Sequence, residues 1–186
     1  MGISKSPRTT LALACIACHK GAMSRLDLVI QRLLAQRACI EQAVRLVRDL
    51  PGPILELGLG NGRSYDHLRE RCPGRAIFVF DRELASHPAS RPEVALFIQG
   101  DFRDTLPTAG ARIGAPAAIA HCDIGSHDPV KSRAMGVTIA PLVVPLMAPS
   151  GIVLGDQPMP HPALRRFELP EGAAPGSYHI YQVVSP

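Results

Sequence analysis

Residues 53–81, PILELGLGNGRSYDHLRERCPGRAIFVFD, decide how the rest of the chain is read. Ile54, Leu55 and Leu57 form a short apolar run of the kind that makes a strand buried on both faces. The run passes directly into a glycine-rich turn, Gly58-Leu59-Gly60-Asn61-Gly62. A polar helical segment, Arg63 to Cys72, follows and is stopped by Pro73-Gly74. A second apolar strand, Ala76 to Phe80, ends on Asp81, about 20 positions beyond the last glycine of the turn. This strand–turn–helix–strand unit with a terminal carboxylate reads as half of a nucleotide-binding α/β fold, with a ribose at the carboxyl ends of the strands.

The turn itself narrows the choice of nucleotide. A dinucleotide fingerprint needs glycines at its first, third and sixth places, and the sixth place here is Arg63. A phosphate-cradling loop needs Lys-Ser or Lys-Thr after the turn, and neither follows. Glu56, two residues before Gly58, would repel a pyrophosphate but favours a cationic ammonium group nearby. A ligand with adenosine at one end and a charged amino acid at the other suits these residues.

Glu56-Leu57-Gly58-Leu59-Gly60-Asn61-Gly62 resembles the first motif of the class I S-adenosylmethionine-dependent methyltransferases, an acid followed by Gly-x-Gly-x-Gly. Asp81 matches the family's ribose-binding acid, and Gly100-Asp101-Phe102 its third motif, which meets the adenine. Asp123 stands where the fourth motif falls. The resemblance runs from about Ile54 to Asp156, and four motifs in order are far more specific than any one. It is to the small stand-alone bacterial members in particular. It implies a Rossmann-like α/β fold: a mostly parallel seven-stranded sheet, helices on both faces and an antiparallel C-terminal strand. It also implies S-adenosylmethionine as cofactor, with S-adenosylhomocysteine as product. The implied cofactor-binding set is Glu56, Gly58, Leu59, Gly60, Asn61, Gly62, Asp81, Arg82, Asp101, Phe102 and Asp123.

Size and composition agree. A chain of 186 residues is long enough for one domain with a real core. No apolar run reaches the roughly 18–20 residues needed to span a membrane. The net charge of +4 comes from 17 Arg and 3 Lys, mostly interleaved with acids, so the surface reads as solvated and not as a nucleic-acid stripe. With eight aromatic residues and no Trp, few platforms exist for stacking single-stranded bases.

In chain order, residues 1–22 read as a disordered extension ahead of a single domain over 23–186. Leu11 to Cys18 is at the lower edge of a leader's apolar core and lacks a clean cleavage site. Cys15-Ile16-Ala17-Cys18-His19 matches the haem c attachment pattern, but nothing else supports export or an axial partner. Five cysteines suit reduced thiols in the cytoplasm, with Cys39 and Cys122 filling the core. Residues 24–50 carry a helical apolar period, with Ser24 as N-cap and Asp27 in the first turn. The polar gap at Gln36-Arg37 predicts either two helices or one that leaves the core midway. Further strands are expected at Val94–Gln99, Ala117–Cys122 and Ile152–Leu154. Pro141 and Pro145 must kink or divide the helix that Asp128-Pro129 begins. Arg165–Leu169 and Tyr178–Val184 are expected as the closing strands.

Methyl transfer from a sulfonium chiefly needs orientation and, where required, removal of a proton. Asp123, His127 and Asp128 are the catalytic candidates, with His127 as the natural base near neutral pH, and Asp156 also ends a strand beside them. Asp123 with Asp156-Gln157 resembles the magnesium-holding acids of catechol-type O-methyltransferases, but Gln stands where Asn belongs, and no metal is assigned. The function expected is methyl transfer to a small-molecule acceptor, without nucleic acid or membrane, in a chain suited to homodimers or higher homo-oligomers. The rivals are a non-catalytic S-adenosylmethionine-binding regulatory module and a nicotinamide-dependent oxidoreductase.

Overall fold

The computed structural model describes residues 23–184, so the readings made for residues 1–22 lie outside it. Seven strands form one sheet: β1 (Ile54–Leu57), β2 (Ile77–Asp81), β3 (Phe97–Gln99), β4 (Ala117–Cys122), β5 (Met147–Gly155), β6 (Leu164–Arg166) and β7 (His179–Val183). Their order is β3-β2-β1-β4-β5-β7-β6. The first five pair in parallel, and β7 runs antiparallel between β5 and β6. The helices are α1 (Arg25–Leu46), α2 (Arg63–Arg71), α3 (Phe102–Thr105), α4 (Gly110–Ile113) and α5 (Pro129–Val143).

Side-chain alternation along the strands divides the interior into two layers. Ile54, Ile77, Val79, Ile119, Ile152 and Leu154 point to one face and pack with Ala35, Cys39, Ile40 and Ala43 of α1 and with Tyr65 and Leu68 of α2. Leu55, Leu57, Phe80, Ala120, Cys122 and Val153 point to the other, against Leu106, Ile113, Ile139, Ala140 and Val143. Glu56 and His121 are partners in the β1–β4 register, and both fall on the face covered by α1.

α1 is one continuous helix that leaves the core at its start. Ser24 caps it, its hydroxyl accepting the Asp27 N–H at 3.1 Å while the Asp27 carboxylate accepts from Ser24. Ala35, Cys39, Ile40 and Ala43 are buried, whereas Leu26, Val29 and Ile30, which share its apolar period, are exposed.

Several boundaries differ from the sequence expectation. Val94–Leu96 is a 3-10 turn, so β3 is short. Pro141 sits inside α5, and a 3-10 turn at Val144–Leu146 follows, which places the division at Pro145. β5 starts at Met147 and not at Ile152, and its register with β4 shifts between Ala117 and Ile119, opposite a stretch in which Ser150 has φ 64°. β6 stops at Arg166, short of the expected Leu169.

Ile119 is fully buried at the centre of this sheet. Its truncation in Ile119→Ala should lower the unfolding free energy by about 2–5 kcal/mol in urea titrations, with the transition slope unchanged.

Candidate active site and its relatives

The parallel order reverses between β1 and β4, and a cleft opens at the carboxyl ends of the strands on either side of that point. Its volume is about 640 Å³. The glycine turn and Asp81 line one end, Asp123, Gly125, Ser126, Asp156 and Gln157 the other, and Arg32, Leu33 and Gln36 of α1 one wall.

The glycines of the turn are required by backbone geometry. Gly58 has φ +89°, and a Cβ there would lie 2.1 Å from the Asp123 carbonyl oxygen. Gly62, at φ +81°, caps α2, and its Cβ would collide with Ser90. Gly60, at φ +47°, would meet nothing. The turn therefore presents bare backbone where a ligand can approach closely. Asp81 fastens it from the β2 end: its Oδ2 accepts the Leu59 N–H at 2.7 Å and the Gly60 N–H at 3.2 Å.

At the other end, Asp123 accepts from Gln36 Nε2 at 3.0 Å and from Arg32 Nη1 at 3.3 Å, which ties α1 to the sheet. Asp156 Oδ1 accepts the Ile124 N–H at 3.0 Å, and Oδ2 accepts from Gln157 Nε2 at 3.1 Å. Burial raises the Asp156 carboxyl above its ordinary range, and the Asp123 charge adds to this against the Gln157 hydrogen bond. A carboxyl so disposed keeps its proton to a higher pH than a free one.

The sequence candidates separate clearly. Gly58, Leu59, Gly60, Asn61, Asp81 and Asp123 line the cleft, with Gly62 directly behind as the cap of α2. Asp101, Phe102 and Arg82 stand outside the lining. Asp101 caps α3, accepts from Arg103 at 2.8 Å, and pairs with Arg82 at 2.5 Å. The Arg103 hydrogen bonds, with help from Arg82, hold its carboxyl well below the usual carboxylate range. An adenine amino group reaching Asp101 would have to compete with these guanidinium groups.

Two catalytic candidates are not brought to the cleft. His127 is exposed and outside the lining, because the loop after Asp123 turns outward before α5. Asp128 spends its Oδ1 on the N–H groups of Val130 and Lys131, as a helix cap. Glu56 has no exposed surface: its oxygens accept from Ser64 Oγ at 2.5 Å and His121 Nδ1 at 2.8 Å. It lies beneath the turn and does not line the cleft. Among the described residues, no three His, Cys, Asp or Glu side chains converge as a metal-holding group.

Sequence reasoning missed four residues of this region: Arg32, Gln36, His121 and Tyr178. His121 left a trace as an ionisable residue inside an otherwise apolar strand, and Gln36 as part of the polar gap in α1.

Comparison with known proteins decides the family. A family model described as S-adenosyl-L-methionine methyltransferase matches residues 23–183. The chain belongs to that family. A solved S-adenosyl-L-methionine methyl transferase from Silicibacter pomeroyi DSS-3 is 44% identical, covers 87% of this chain and 99% of its own, and superposes with a TM-score of 0.83. Human N-acetylserotonin methyltransferase, solved with its cofactor, shares the fold at 15% identity and a TM-score of 0.54, over 85% of this chain and 56% of its own. A ribosomal RNA small subunit methyltransferase A of Leptothrix cholodnii is 32% identical over 85 residues, 43% of this chain and 32% of that relative. This chain thus matches about a third of that protein's length. It is an S-adenosylmethionine-dependent methyltransferase. The bare glycine turn fits the cofactor's close approach.

Three outcomes follow for this methyltransferase. Gly58→Ala should abolish binding of S-adenosylhomocysteine in calorimetry, since the methyl group would enter the Asp123 backbone. His127→Ala should leave turnover within about twofold, as expected of a surface substitution. Asp156→Asn should change stability with pH in a defined direction. A carboxyl whose folded pKa is raised contributes stability below its unfolded value, about 3.9, and that contribution is lost as pH rises through the folded value. The variant's melting temperature relative to wild type should therefore rise as the pH increases above about 4.

Proposed function

We propose that this methyltransferase transfers the methyl group to a small, polar acceptor carrying a hydroxyl or amine, held between Asp123, Asp156 and α1. The observation that supports this most is the cleft itself, about 640 Å³ in volume, with a compact polar recess beyond the glycine turn. The lining at that end is polar, with Asp123, Ser126, Asp156 and Gln157 facing Arg32 and Gln36.

When bound, S-adenosylmethionine supplies an already activated methyl group. The protein's part is to hold and orient. Asp81 at the end of β2 would hold the ribose hydroxyls, and the Leu59-Gly60-Asn61 backbone would receive the amino-acid tail. Asp123 would orient the acceptor's polar hydrogen, and Asp156 would take the proton released at that atom. Arg32 and Gln36 wall the acceptor end and limit access of water. Arg82, Asp101 and Phe102 would serve the adenine end if Arg82 swings from Asp101.

The exposed apolar start of α1, with Leu26 and Val29, supports self-association through that helix. The free, buried thiols Cys39, Cys72 and Cys122 support a reducing compartment such as the cytoplasm. Among the described residues, no helix is long and apolar enough to cross a membrane.

Methyl-labelled cofactor, offered with a metabolite library and in parallel with ribosomal RNA, tests the acceptor class. Label in a small product supports the reading, and label confined to RNA sinks it. On the acceptor so found, Asp123→Asn should lower kcat by about 10²-fold, with S-adenosylhomocysteine affinity changed less than about threefold. Asp81→Ala should do the reverse, weakening that affinity at least about tenfold by loss of a charge-assisted contact.

A further inference from the structure

A second cavity, about 710 Å³ in volume, adjoins the cleft and shares only Asn61 and Arg63 with it. The methyl-transfer reading does not use it. Asp66 of α2 and Ser86, His87 and Ser90 of the loop after β2 complete its polar lining. That loop holds a single 3-10 turn, Pro88–Ser90, capped by His87. The His87 N–H donates to the Asn61 carbonyl at 3.4 Å, which ties the loop to the glycine turn. Gly62 permits the approach, because a Cβ there would lie 2.7 Å from Ser90 Cβ and 3.1 Å from Ser86 Cβ. The Ser86 side chain therefore stands against the N-cap of α2.

Two independent observations point to a ligand. The N-terminus of α2, a helix of 9 residues, has no side-chain cap, so its first N–H groups and the positive end of its dipole are left for an anion. Ser86 is only 4% exposed, yet its hydroxyl has no hydrogen-bond partner among the described residues. A buried hydroxyl is seldom left so, since it gives up its bonds to water without replacement. The other polar groups of the lining are mostly donors. Arg63 is exposed and pairs with no acid among the described residues, whereas Asp66 is already held by Arg69. His87 Nδ1 accepts the Ala89 N–H at 3.2 Å, so the ring proton stands on Nε2 and can be donated. The Asn61 amide adds further N–H donors. A donor-rich wall with an unpaired guanidinium beside a helix N-terminus selects an oxyanion, and the planar guanidinium fork suits a phosphoryl group.

We propose that this second cavity is an anion site that takes a phosphoryl group, free or carried on a small organic molecule. Ser86 Oγ and the first N–H groups of α2 donate to its oxygens, and Arg63 supplies the opposite charge. The cavity is larger than one phosphoryl group fills, which leaves room for an organic part. Ser86 and His87 do not line the cofactor cleft, so the two sites can be filled together.

The test is nuclear magnetic resonance on the isotope-labelled full chain, titrated at constant ionic strength with inorganic phosphate and, in parallel, with glycerol 3-phosphate. The backbone amide signals of Arg63, Ser86 and His87 should shift along one saturable curve. Tighter saturation by the ester identifies the organic source, and tighter saturation by inorganic phosphate the free ion. Ser86→Ala and Arg63→Gln should each weaken the better ligand by about tenfold, as expected for loss of a hydrogen bond to a charged group. Ser86→Ala should leave S-adenosylhomocysteine affinity within about threefold in calorimetry, as expected of a change away from that cleft. Protein saturated with S-adenosylhomocysteine should still bind the phosphate. Shifts that do not saturate, an affinity unchanged in either variant, or displacement of the phosphate by S-adenosylhomocysteine overturns the proposal. Should Ser86→Ala fail to fold, Arg63→Gln, at an exposed position, decides with the displacement measurement.

Discussion

The interaction on which most of this structure depends is the burial of the Glu56 carboxylate under the glycine turn. A charge with no solvent contact is tolerated only with partners of suitable chemistry, and here they come from α2, β4 and, one step on, from α1 and the segment before β7. The parallel register that sets Glu56 opposite His121 is thus also what joins the two ends of the cleft. A slip of one residue would send both side chains to the opposite layer, where only apolar groups wait.

The cleft is built from two kinds of element. Strand ends carry the fixed groups: the turn after β1, Asp81 after β2, Asp123 after β4 and Asp156 after β5. Their positions are set by sheet hydrogen bonding and vary little. The opposite wall is a single helix, α1, held there by Arg32 and Gln36 reaching Asp123. The end beside α1 consequently depends on a polar contact between helix and sheet, whereas the other depends on the shape of the glycine turn and its fastening by Asp81. This division is what one expects where a shared cofactor meets an acceptor particular to the protein.

His127 shows how local reading can mislead. Its place five residues beyond the end of β4 makes it the natural base by position, yet the loop leaves it exposed and Asp128 is taken up as a helix cap. Asp156, to which we assign the proton in our proposal, comes instead from the end of the neighbouring strand, where burial and the Asp123 charge raise its carboxyl. No spacing rule relates Asp123 to Asp156, because their proximity arises from pairing of β4 with β5.

What the sequence determined by itself was local in origin. The glycine turn, the apolar strand cores, the Asp81 and Asp123 strand ends and the Ser24 cap each follow from residue type and short-range period, and with them the family and the cofactor. What only the tertiary structure decided was long-range: the full burial of Glu56, the Glu56–His121–Tyr178 contact, and the meeting of Arg32 and Gln36 with Asp123 across about ninety residues of chain. Those contacts depend on the order of the strands and on which helix covers which face. Backbone propensity does not encode that order; it is set when the two apolar layers find their shared packing.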